Sequence, residues 1–390
     1  MKEVILVKNG EITLKGLNRH IFEDLLIKNI SNKLESLGKF KYYKAQSTIY
    51  VEPLSDKIDI SLVVARLQQV FGIAGICRAY YAEKNIKAIN QTAVNYLKNE
   101  APFIKTFKVE SKRSDKEFIY KSPEISALVG EFILNNIPHI SVDVHNPDVI
   151  LNIEVRDFAS YIYSNQLNGA GGLPVGSSGK GMLMISGGID SPVAGYMMAK
   201  RGMILSAIHF TSPPYTSEKA QLKVIKLIKR LSNYAGQIEM CIVNFSSFQE
   251  AIKQYCPEEF FTIIMRRYMT KISQLMALKL NCEILITGES LAQVASQTLH
   301  SLICVENVAT IPIFRPLIGF DKLEIINIAK KIDTYATSIL PYEDCCTIFT
   351  PKHPRTKPTI RMLEKVEKKL KEYDEKFIME AIDSVKKLII

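Results

Sequence analysis

The segment 183–192, which reads Leu-Met-Ile-Ser-Gly-Gly-Ile-Asp-Ser-Pro, constrains the fold of this chain more than any other stretch. Its first three residues are apolar and predict a short buried strand, and the paired glycines predict a tight turn. Ser191 as N-cap and Pro192 at the first position predict a helix, whose apolar spacing continues until Gly202. In a strand–turn–helix of this kind, backbone N–H groups and the helix N-terminus converge on an anion, usually a phosphate. The segment therefore predicts a phosphate-binding loop.

The run Ser-Gly-Gly-Ile-Asp-Ser at 186–191 is similar to the pyrophosphate-binding loop of ATP-pyrophosphatases, which split ATP into AMP and pyrophosphate. A second glycine-rich stretch at 176–181 is not a Walker A loop, because its glycine spacing differs and no Ser or Thr follows its lysine. We interpret that stretch as linker. An ordinary strand-to-helix turn is the alternative for 186–191, and the six-residue match in a strand–helix context favours phosphate binding.

Length and charge limit the classes of protein to be considered. The chain has 390 residues, of which 47% are hydrophobic, and this is enough for two or three domains. Its net charge of +10 favours an anionic partner such as nucleic acid, although an ordinary basic protein has the same balance. The sequence contains no signal-peptide core and no apolar run of the ~18 residues that span a membrane. The seven cysteines lack the spacing of a disulfide scaffold, so we expect a cytoplasmic protein.

The front of the chain predicts two small α+β domains. The first has the order β-α-β-β-α-β, which is typical of a ferredoxin-like unit. Its predicted elements are strands at 3–7, 41–43, 48–51 and 76–81 and helices at 18–37 and 58–71. The second has predicted helices at 86–98 and 122–135 and strands at 107–111, 149–155 and 160–163. A glycine-rich stretch at 168–176 then predicts a connection between domains.

The second unit carries basic side chains interleaved with aromatic rings, between its predicted strand and helix. Such a surface suits neutralisation of an RNA backbone together with packing on bases or sugars. A solvated loop face is the alternative. The residues concerned are Lys105, Lys108, Lys112, Arg113, Lys116, Lys121, Phe107, Phe118 and Tyr120.

The remaining half alternates strands with helices and predicts a doubly wound parallel sheet. After the strand at 183–185, the predicted strands are 204–208, 238–243 and 283–287, and the predicted helices are 220–231, 259–280, 322–332 and the tail from 357 to 390. Ligands of such sheets bind beyond the carboxyl ends of the strands, so residues that directly follow a strand are candidates for the site.

Several residues occupy such positions. His209 and Phe210 follow one strand, where Phe210 is placed to pack on an adenine and His209 to contact the nucleotide; a packed core histidine is the alternative. Gly288 follows another strand, with Gln297 further along, and it would let the backbone approach a ligand unless it is a plain turn. Arg266 and its neighbour Arg267 interrupt an apolar helix, so one of them should lie near the buried side. A buried guanidinium requires an anion, either a phosphate or an internal carboxylate.

Cys345 and Cys346 form the second chemical feature, just before a basic stretch punctuated by prolines. Adjacent cysteines do not easily form a relaxed disulfide, and they are not a CxxC zinc pair. We expect a cysteine in this loop to be partly exposed, with nearby cations favouring the nucleophilic thiolate; a small buried hydrophobe is the alternative. We interpret the other five cysteines as structural, namely Cys77, Cys241, Cys256, Cys282 and Cys304.

These features together resemble the tRNA 4-thiouridine synthetase family over nearly the whole chain. The resemblance rests on 183–192, 169–176, Arg-Pro-Leu at 315–317 and Glu-Asp-Cys at 343–345. It implies a ferredoxin-like domain at 1–75, a THUMP RNA-binding domain at 76–165, a linker at 166–180 and an ATP-pyrophosphatase domain at 181–390. It also implies that ATP binds at Met184, Ile185, Ser186, Gly187, Gly188, Asp190, Ser191, His209, Phe210, Arg266, Gly288 and Gln297.

The resemblance further implies a reaction. ATP would adenylate the C4 oxygen of uridine 8 in tRNA, and a persulfide sulfur at the catalytic Cys345 would displace AMP to give 4-thiouridine. Asp190 would act in catalysis beside Mg²⁺, which neutralises the phosphates. Lys112 and Arg113 would contact the tRNA acceptor end.

Two departures from the family pattern qualify these expectations. The chain leaves no room for the rhodanese domain of longer members, so the sulfur is expected from a cysteine desulfurase or another carrier. The usual disulfide partner of Cys345 is missing, and adjacency makes Cys346 a doubtful substitute. The long helix lacks the CxxC of relatives that use an iron–sulfur cluster, so none is expected. A homodimer, another ATP-pyrophosphatase acting on RNA, and a non-catalytic tRNA-binding protein remain open.

Overall fold

The protein is described by a computed structural model that covers residues 2–342, 345, 348–349, 351–370 and 374–390. The chain divides into two compact units, Met1–Leu173 (unit 1) and Pro174–Ile390 (unit 2). Across the covered ranges, no helix has the length and apolar character needed to cross a membrane. The predicted boundaries at 75/76, 165/166 and 180/181 remain predictions, and the division at 173/174 lies within the predicted linker.

Unit 1 is built on one mixed sheet with two helices for each of its halves. The strands are β1 (Glu3–Asn9), β2 (Phe40–Ala45), β3 (Thr48–Pro53), β4 (Ile73–Ala82), β5 (Thr106–Arg113), β6 (Ser141–Val142), β7 (Val149–Val155), β8 (Ser160–Tyr163) and β9 (Leu167–Asn168). The helices are α1 (Arg19–Leu34), α2 (Ile60–Leu67), α3 (Ile86–Glu100) and α4 (Ser122–Asn136). The sheet order is β2-β3-β1-β4-β8-β7-β5-β6, with β9 beside β4.

The order β2-β3-β1-β4 confirms the predicted ferredoxin-like arrangement. Residues of α1 and α2 form one core with this part of the sheet, and residues of α3 and α4 form a second core with β5, β7 and β8. Local sequence fixes where the helices begin: Asp59 accepts bonds from the N–H groups of Ser61 and Leu62, and Asn85 accepts one from Ala88. Strand β4 pairs with β1 along most of its length and with β8 at its end, so both halves share it.

Unit 1 also contains a buried carboxylate, Glu154, which is 4% exposed. Lys8 Nζ lies 2.8 Å from Glu154 Oε1, and the Tyr163 hydroxyl donates to the same oxygen at 2.6 Å. Arg156 binds the other oxygen, Oε2, through Nε at 3.1 Å. Burial alone would raise the pKa of this carboxyl, but the charge and hydrogen bond of Lys8, with Tyr163 and Arg156, lower its pKa to about 2. Glu154 is therefore a charged member of the sheet interior.

Unit 2 is built on a sheet with the order β14-β13-β10-β11-β12-β15. Its strands are β10 (Lys180–Met184), β11 (Ile204–Thr211), β12 (Glu239–Asn244), β13 (Ile284–Ile286), β14 (Ile313–Phe314) and β15 (Lys386–Ile389). Its helices are α5 (Asp190–Lys200), α6 (Glu218–Ala235), α7 (Ser246–Tyr255), α8 (Phe261–Lys279), α9 (Leu299–Glu306), α10 (Lys322–Lys331), α11 (Tyr335–Ser338), α12 (Ile360–Glu367) and α13 (Asp374–Asp383). The strands are parallel except β15.

Helices cover both faces of this sheet, because consecutive residues of β10 pack against different helices. Met182 belongs to a core formed with α7, α8 and α13. The next residue, Leu183, points the other way, and its side chain lies at Gly195 of α5, which also meets Leu231 of α6. The predicted fold class, a doubly wound parallel sheet preceded by α+β structure, is confirmed.

The tail is where the fold differs from prediction. We predicted helix from 357 to 390, but α12 and α13 are followed by β15, which pairs antiparallel with β12. Ile390 and Ile238 exchange two backbone hydrogen bonds, of 3.0 and 2.8 Å, beyond the end of that strand. The last residues form a strand because the edge of β12 supplies their hydrogen bonds. The spacing of apolar residues in the tail does not predict this pairing.

Candidate active site

The predicted phosphate loop connects β10 to α5. Ser191 Oγ accepts a hydrogen bond from Ser186 N at 3.0 Å and lies 3.1 Å from Ser186 Oγ. Gly188 N donates to Ser186 Oγ at 3.3 Å. The prediction that Ser191 caps the helix is wrong: α5 begins at Asp190, Ile189 occupies the cap position, and no side chain caps it. The Ser191 hydroxyl closes the loop on Ser186 instead, because the tight turn brings these two residues together.

Gly288, which follows β13, packs directly on this loop. A Cβ atom at Gly288 would lie 2.7 Å from Ser191 N and 2.8 Å from the Asp190 carbonyl carbon. Distances this short do not occur between real atoms of these types, so any larger residue would displace the loop. We expected the glycine to let the backbone approach a ligand; the close approach that it permits in the structure is to the phosphate loop itself.

The loop opens into a cavity of about 480 Å³ within unit 2. All the predicted nucleotide-binding residues except Gly187 line this cavity, and Cys345 lines it as well. Those residues are Met184, Ile185, Ser186, Gly188, Asp190, Ser191, His209, Phe210, Arg266, Gly288 and Gln297. The fold thus brings together residues from the carboxyl ends of three neighbouring parallel strands and from the segment near 345.

His209 and Phe210 form a buried wall of the cavity. His209 is 4% exposed, and its Nδ1 lies 3.1 Å from the carbonyl oxygen of Ile185. Because a carbonyl only accepts, Nδ1 carries the hydrogen of this bond. The Phe210 ring stands edge-on to Phe245 with centroids 5.3 Å apart. His209 is therefore both a packed histidine and a residue of the cavity, so the two interpretations of the sequence do not exclude each other.

Asp190 has two side-chain partners that the sequence did not suggest. Lys322 Nζ lies 2.5 Å from Asp190 Oδ1, and Gln293 Nε2 donates to Oδ2 at 2.9 Å. Lys322 begins α10, and a capping box between Asp321 and Glu324 fixes that helix start. Lys322 and Asp190 are 132 residues apart in the sequence, so no local sequence pattern predicts their contact. Lys322 therefore places a positive charge beside the carboxylate of Asp190, at the start of α5.

Arg266 and Arg267 both have carboxylate partners. Arg267 is 2% exposed; it binds Glu367 through Nε at 2.6 Å and Nη2 at 2.9 Å, so this is the arginine on the buried side. Arg266 faces the cavity, donates from Nη1 to the Ser296 carbonyl at 2.8 Å, and is paired with Glu289. An internal carboxylate thus accounts for the burial of Arg267, whereas Arg266 lies at the site.

Glu289, a second residue that sequence reasoning missed, organises this side of the cavity. It is 3% exposed, and besides Arg266 it binds Arg315 Nε, which lies 2.6 Å from Glu289 Oε2. Thr287 Oγ1 donates to the same oxygen at 2.9 Å. Because its carboxylate is held from several directions, Glu289 fixes Arg266 at the cavity wall. The sequence feature that could have identified Glu289 is its position directly after Gly288, close to the carboxyl end of a strand.

Cys345 differs from prediction in its exposure. It was expected to be partly exposed, but it is 5% exposed and belongs to the core of unit 2. Gln249 Nε2 donates to its backbone oxygen at 2.7 Å. Pro351, Pro354 and Arg355 line the same cavity, so composition predicted a basic, proline-rich loop but not that it packs inward. Cys346, with the neighbouring Glu-Asp at 343–344, lies outside the described residues.

The five other cysteines behave as core residues. All are buried or half-buried thiols. Burial raises the pKa of each of these thiols, to about 11 for Cys77 and Cys256, which keeps them in the less reactive neutral form. Among the described residues, none of these five cysteines lines the cavity, whereas Cys345 does.

Lys112 and Arg113 lie in unit 1, on β5, and not in a loop as predicted. The strand is longer than the prediction because it pairs with β7 up to Arg113. Lys112 is exposed. Arg113 is half-buried, and its Nη1 donates to the carbonyl oxygens of Phe118 at 2.6 Å and Tyr120 at 3.2 Å. Of the two, Lys112 is the one whose charge faces solvent, whereas Arg113 is engaged in holding the following turn.

The residues around Asp190 fit Mg²⁺ only as an ion that arrives with phosphates. Mg²⁺ is commonly held by one or two carboxylates together with phosphate oxygens and water. Asp190 supplies one carboxylate beside the phosphate loop, and Lys322 already neutralises part of its charge. Among the residues that the structure describes, no group of three or more His, Cys, Asp or Glu side chains is arranged to hold a metal.

Three protein families match consecutive parts of the chain. The ThiI ferredoxin-like domain matches residues 4–77, the THUMP domain matches 83–165, and the thiamine biosynthesis protein (ThiI) family matches 176–372. A probable tRNA sulfurtransferase of Acetivibrio thermocellus is 49% identical over 392 residues, covering 100% of this chain and 99% of that protein. A probable tRNA sulfurtransferase of Thermoanaerobacter sp. (strain X514) is 49% identical over 385 residues, covering 98% and 100%.

Two solved structures also align with all or most of the chain. A 4-thiouridine synthetase, crystallised as an RNA complex with bound ATP, aligns with a TM-score of 0.92 at 36% identity and covers 100% of both chains. PH1313 from Pyrococcus horikoshii Ot3 aligns with a TM-score of 0.65 at 25% identity, covering 85% of this chain and 99% of that one.

Proposed function

Because the chain belongs to the ThiI family of tRNA sulfurtransferases, we propose that it forms 4-thiouridine at position 8 of tRNA through an adenylated uridine. The chain is an enzyme that binds ATP and tRNA. The observation that carries it is that the phosphate loop and Cys345 line one cavity. This supports the proposal, because a uridine bound in the cavity would have both the loop that holds ATP and the cysteine that carries sulfur beside it.

The first step would be activation of the uridine. The loop N–H groups would hold the triphosphate, Lys322 would add positive charge beside Asp190, and Arg266 would bind from its place in the lining of the same cavity. The C4 oxygen of the uridine attacks the α-phosphorus of ATP, the bond to the β-phosphate oxygen breaks, and pyrophosphate leaves. AMP is a far better leaving group than a carbonyl oxygen. Mg²⁺, bound beside Asp190, would neutralise charge on the phosphates.

The second step would be sulfur transfer at Cys345. The terminal sulfur of a Cys345 persulfide attacks C4, the C4–O bond breaks, and AMP leaves with the electron pair. A thiol then attacks the Cys345 sulfur, the S–S bond breaks, and 4-thiouridine is released, so that the thiol and Cys345 remain as a disulfide. A cysteine desulfurase is the proposed source of the persulfide sulfur. The position of Cys345 at the wall of the cavity supports this step, because the persulfide would then lie beside the adenylated uridine.

Unit 1 would hold the tRNA. Its THUMP and ferredoxin-like parts match RNA-modifying relatives, and the exposed Lys112 is the proposed contact to the phosphate backbone, with Arg113 shaping the turn beside it. We propose the division into 1–75, 76–165, 166–180 and 181–390 as the functional domains. Strand β4 runs through the first of these boundaries.

The variant Cys345→Ser tests the proposal. We expect it to retain tRNA-dependent release of pyrophosphate from ATP but to lose 4-thiouridine, which is measured by its near-ultraviolet absorbance in purified tRNA. Cys256→Ser is a matched control, because Cys256 is a half-buried cysteine of unit 2 that does not line the cavity. If Cys345→Ser forms 4-thiouridine normally, the residue does not carry the sulfur. If the native chain releases pyrophosphate yet thiolates no tRNA, it is a different ATP-pyrophosphatase, and if it releases none, it is a tRNA-binding protein.

A further inference from the structure

Gln249 lies on α7, and its side chain is completely buried, with 0% exposure. Its Nε2 donates to the backbone oxygen of Cys345 at 2.7 Å and lies 3.3 Å from Met265 Sδ on α8. The bond spans 96 residues of sequence. It therefore ties the segment that carries Cys345 to two helices of the unit 2 core.

Fold stability does not explain a glutamine at this position. Its second polar atom, Oε1, has no hydrogen-bond partner among the described residues, although it is buried. A buried acceptor without a partner costs as much stability as one hydrogen bond contributes, or more. Methionine has nearly the same length and shape and carries no such acceptor. For stability alone, an apolar residue at position 249 would serve at least as well.

We propose that Gln249 is a positioning residue for sulfur transfer, which holds Cys345 at the wall of the nucleotide cavity. This inference rests on the proposed function. The contact uses the backbone oxygen of Cys345 and not its sulfur, so it fixes the residue without occupying the group that reacts. Reacting groups must be held to within about 0.5 Å of their productive geometry, and a buried side chain anchored on a helix provides such precision. Gln249 does not line the cavity itself, so it acts through Cys345.

The variant Gln249→Met, in the full chain with tRNA, ATP and a sulfur donor, separates positioning from folding. We expect 4-thiouridine formed per pyrophosphate released to fall about tenfold or more, because a reacting group displaced by about 1 Å loses up to ~100-fold in rate. Pyrophosphate release should be unchanged, and the thermal unfolding midpoint should be unchanged or higher. Alkylation of Cys345, followed by mass spectrometry, should become faster because the segment has lost its hydrogen bond to α7.

Gln274→Met is the matched control. Gln274 also bonds the backbone of a distant segment, since its Oε1 accepts from Thr310 N at 2.6 Å and from Ile311 N at 3.3 Å. Unlike Cys345, these two bonded residues do not line the cavity. Its ratio of thiolation to pyrophosphate release should equal that of the native chain. If Gln249→Met lowers both activities in parallel with stability, or leaves the ratio at the control value, Gln249 is structural only and the inference is overturned. A native chain that makes no 4-thiouridine would refute the proposed function and this inference with it.

Discussion

Replacing Gly288 by alanine would test whether the contact between β13 and the phosphate loop sets the geometry of the site. The new Cβ would lie 2.7 Å from Ser191 N and 2.8 Å from both the Asp190 carbonyl carbon and Ser191 Cα. All three are backbone atoms, so no flexible side chain can yield. To reach the 3.4 Å at which ordinary contact begins, the two backbones must separate by about 0.7 Å.

A shift of this size should affect catalysis more than folding. Overpacking of this kind costs about 1–3 kcal/mol of stability, which a chain of this size tolerates. Displacement of a phosphate-binding loop by nearly 1 Å reduces the rate by about 100-fold. We therefore expect Gly288→Ala to fold, with a lower unfolding midpoint, and to lose about 100-fold in kcat/KM for tRNA-dependent pyrophosphate release.

The control for this substitution is Gly319→Ala, because a Cβ at Gly319 meets no atom within 4 Å. Gly288 does not have a positive φ, so its replacement introduces no backbone strain and the effect is one of space alone. Native kcat/KM in Gly288→Ala would refute the reasoning, since the loop would then tolerate the displacement. Equal losses in Gly288→Ala and Gly319→Ala would show that neither loss comes from the contact with the loop.

Two further predictions concern charges described above. Lys322→Met removes the cation beside Asp190 and should lower kcat for pyrophosphate release by about 100-fold, the effect typical of losing one stabilising group, with little change in the unfolding midpoint; native kcat would exclude Lys322 from the reaction. The carboxyl of Glu154 has a pKa of about 2 in the folded chain against an ordinary 4.5, a difference worth ~3 kcal/mol. That stabilisation is fully present above about pH 5 and is lost as the pH falls toward 2, so Glu154→Gln should flatten the acid side of the stability curve measured by chemical denaturation; an unchanged slope would contradict the assignment.

The sequence predicted what local patterns encode. The phosphate loop and the alternating elements follow from spacing within a few residues. His209 and Gly288 were candidates because each follows a predicted strand, and both line the cavity. The cap role of Ser191 was wrong because the hydroxyl serves Ser186, and a closed turn competes with a helix cap for the same group.

Contacts between distant segments could not be predicted in this way. Lys322 reaches Asp190 across 132 residues, and Gln249 reaches Cys345 across 96. The burial of Cys345 depends on the helices against which its segment packs, whereas its neighbours in sequence are basic and suggest exposure. Each of these features depends on a contact between residues that are far apart in the sequence. A single sequence contains no local pattern that predicts such a contact.

Strand β4 makes the two halves of unit 1 difficult to separate from each other. Tyr80 lies opposite Glu3 on one side and opposite Ile162 on the other, so a single residue lies between strands of both halves of the sheet. A recombination event that separated the halves would cut a strand and leave β1 or β8 with an unpaired, aggregation-prone edge. A protein engineer who grafts only one half of unit 1 onto another enzyme must therefore cover the strand edge that this leaves exposed.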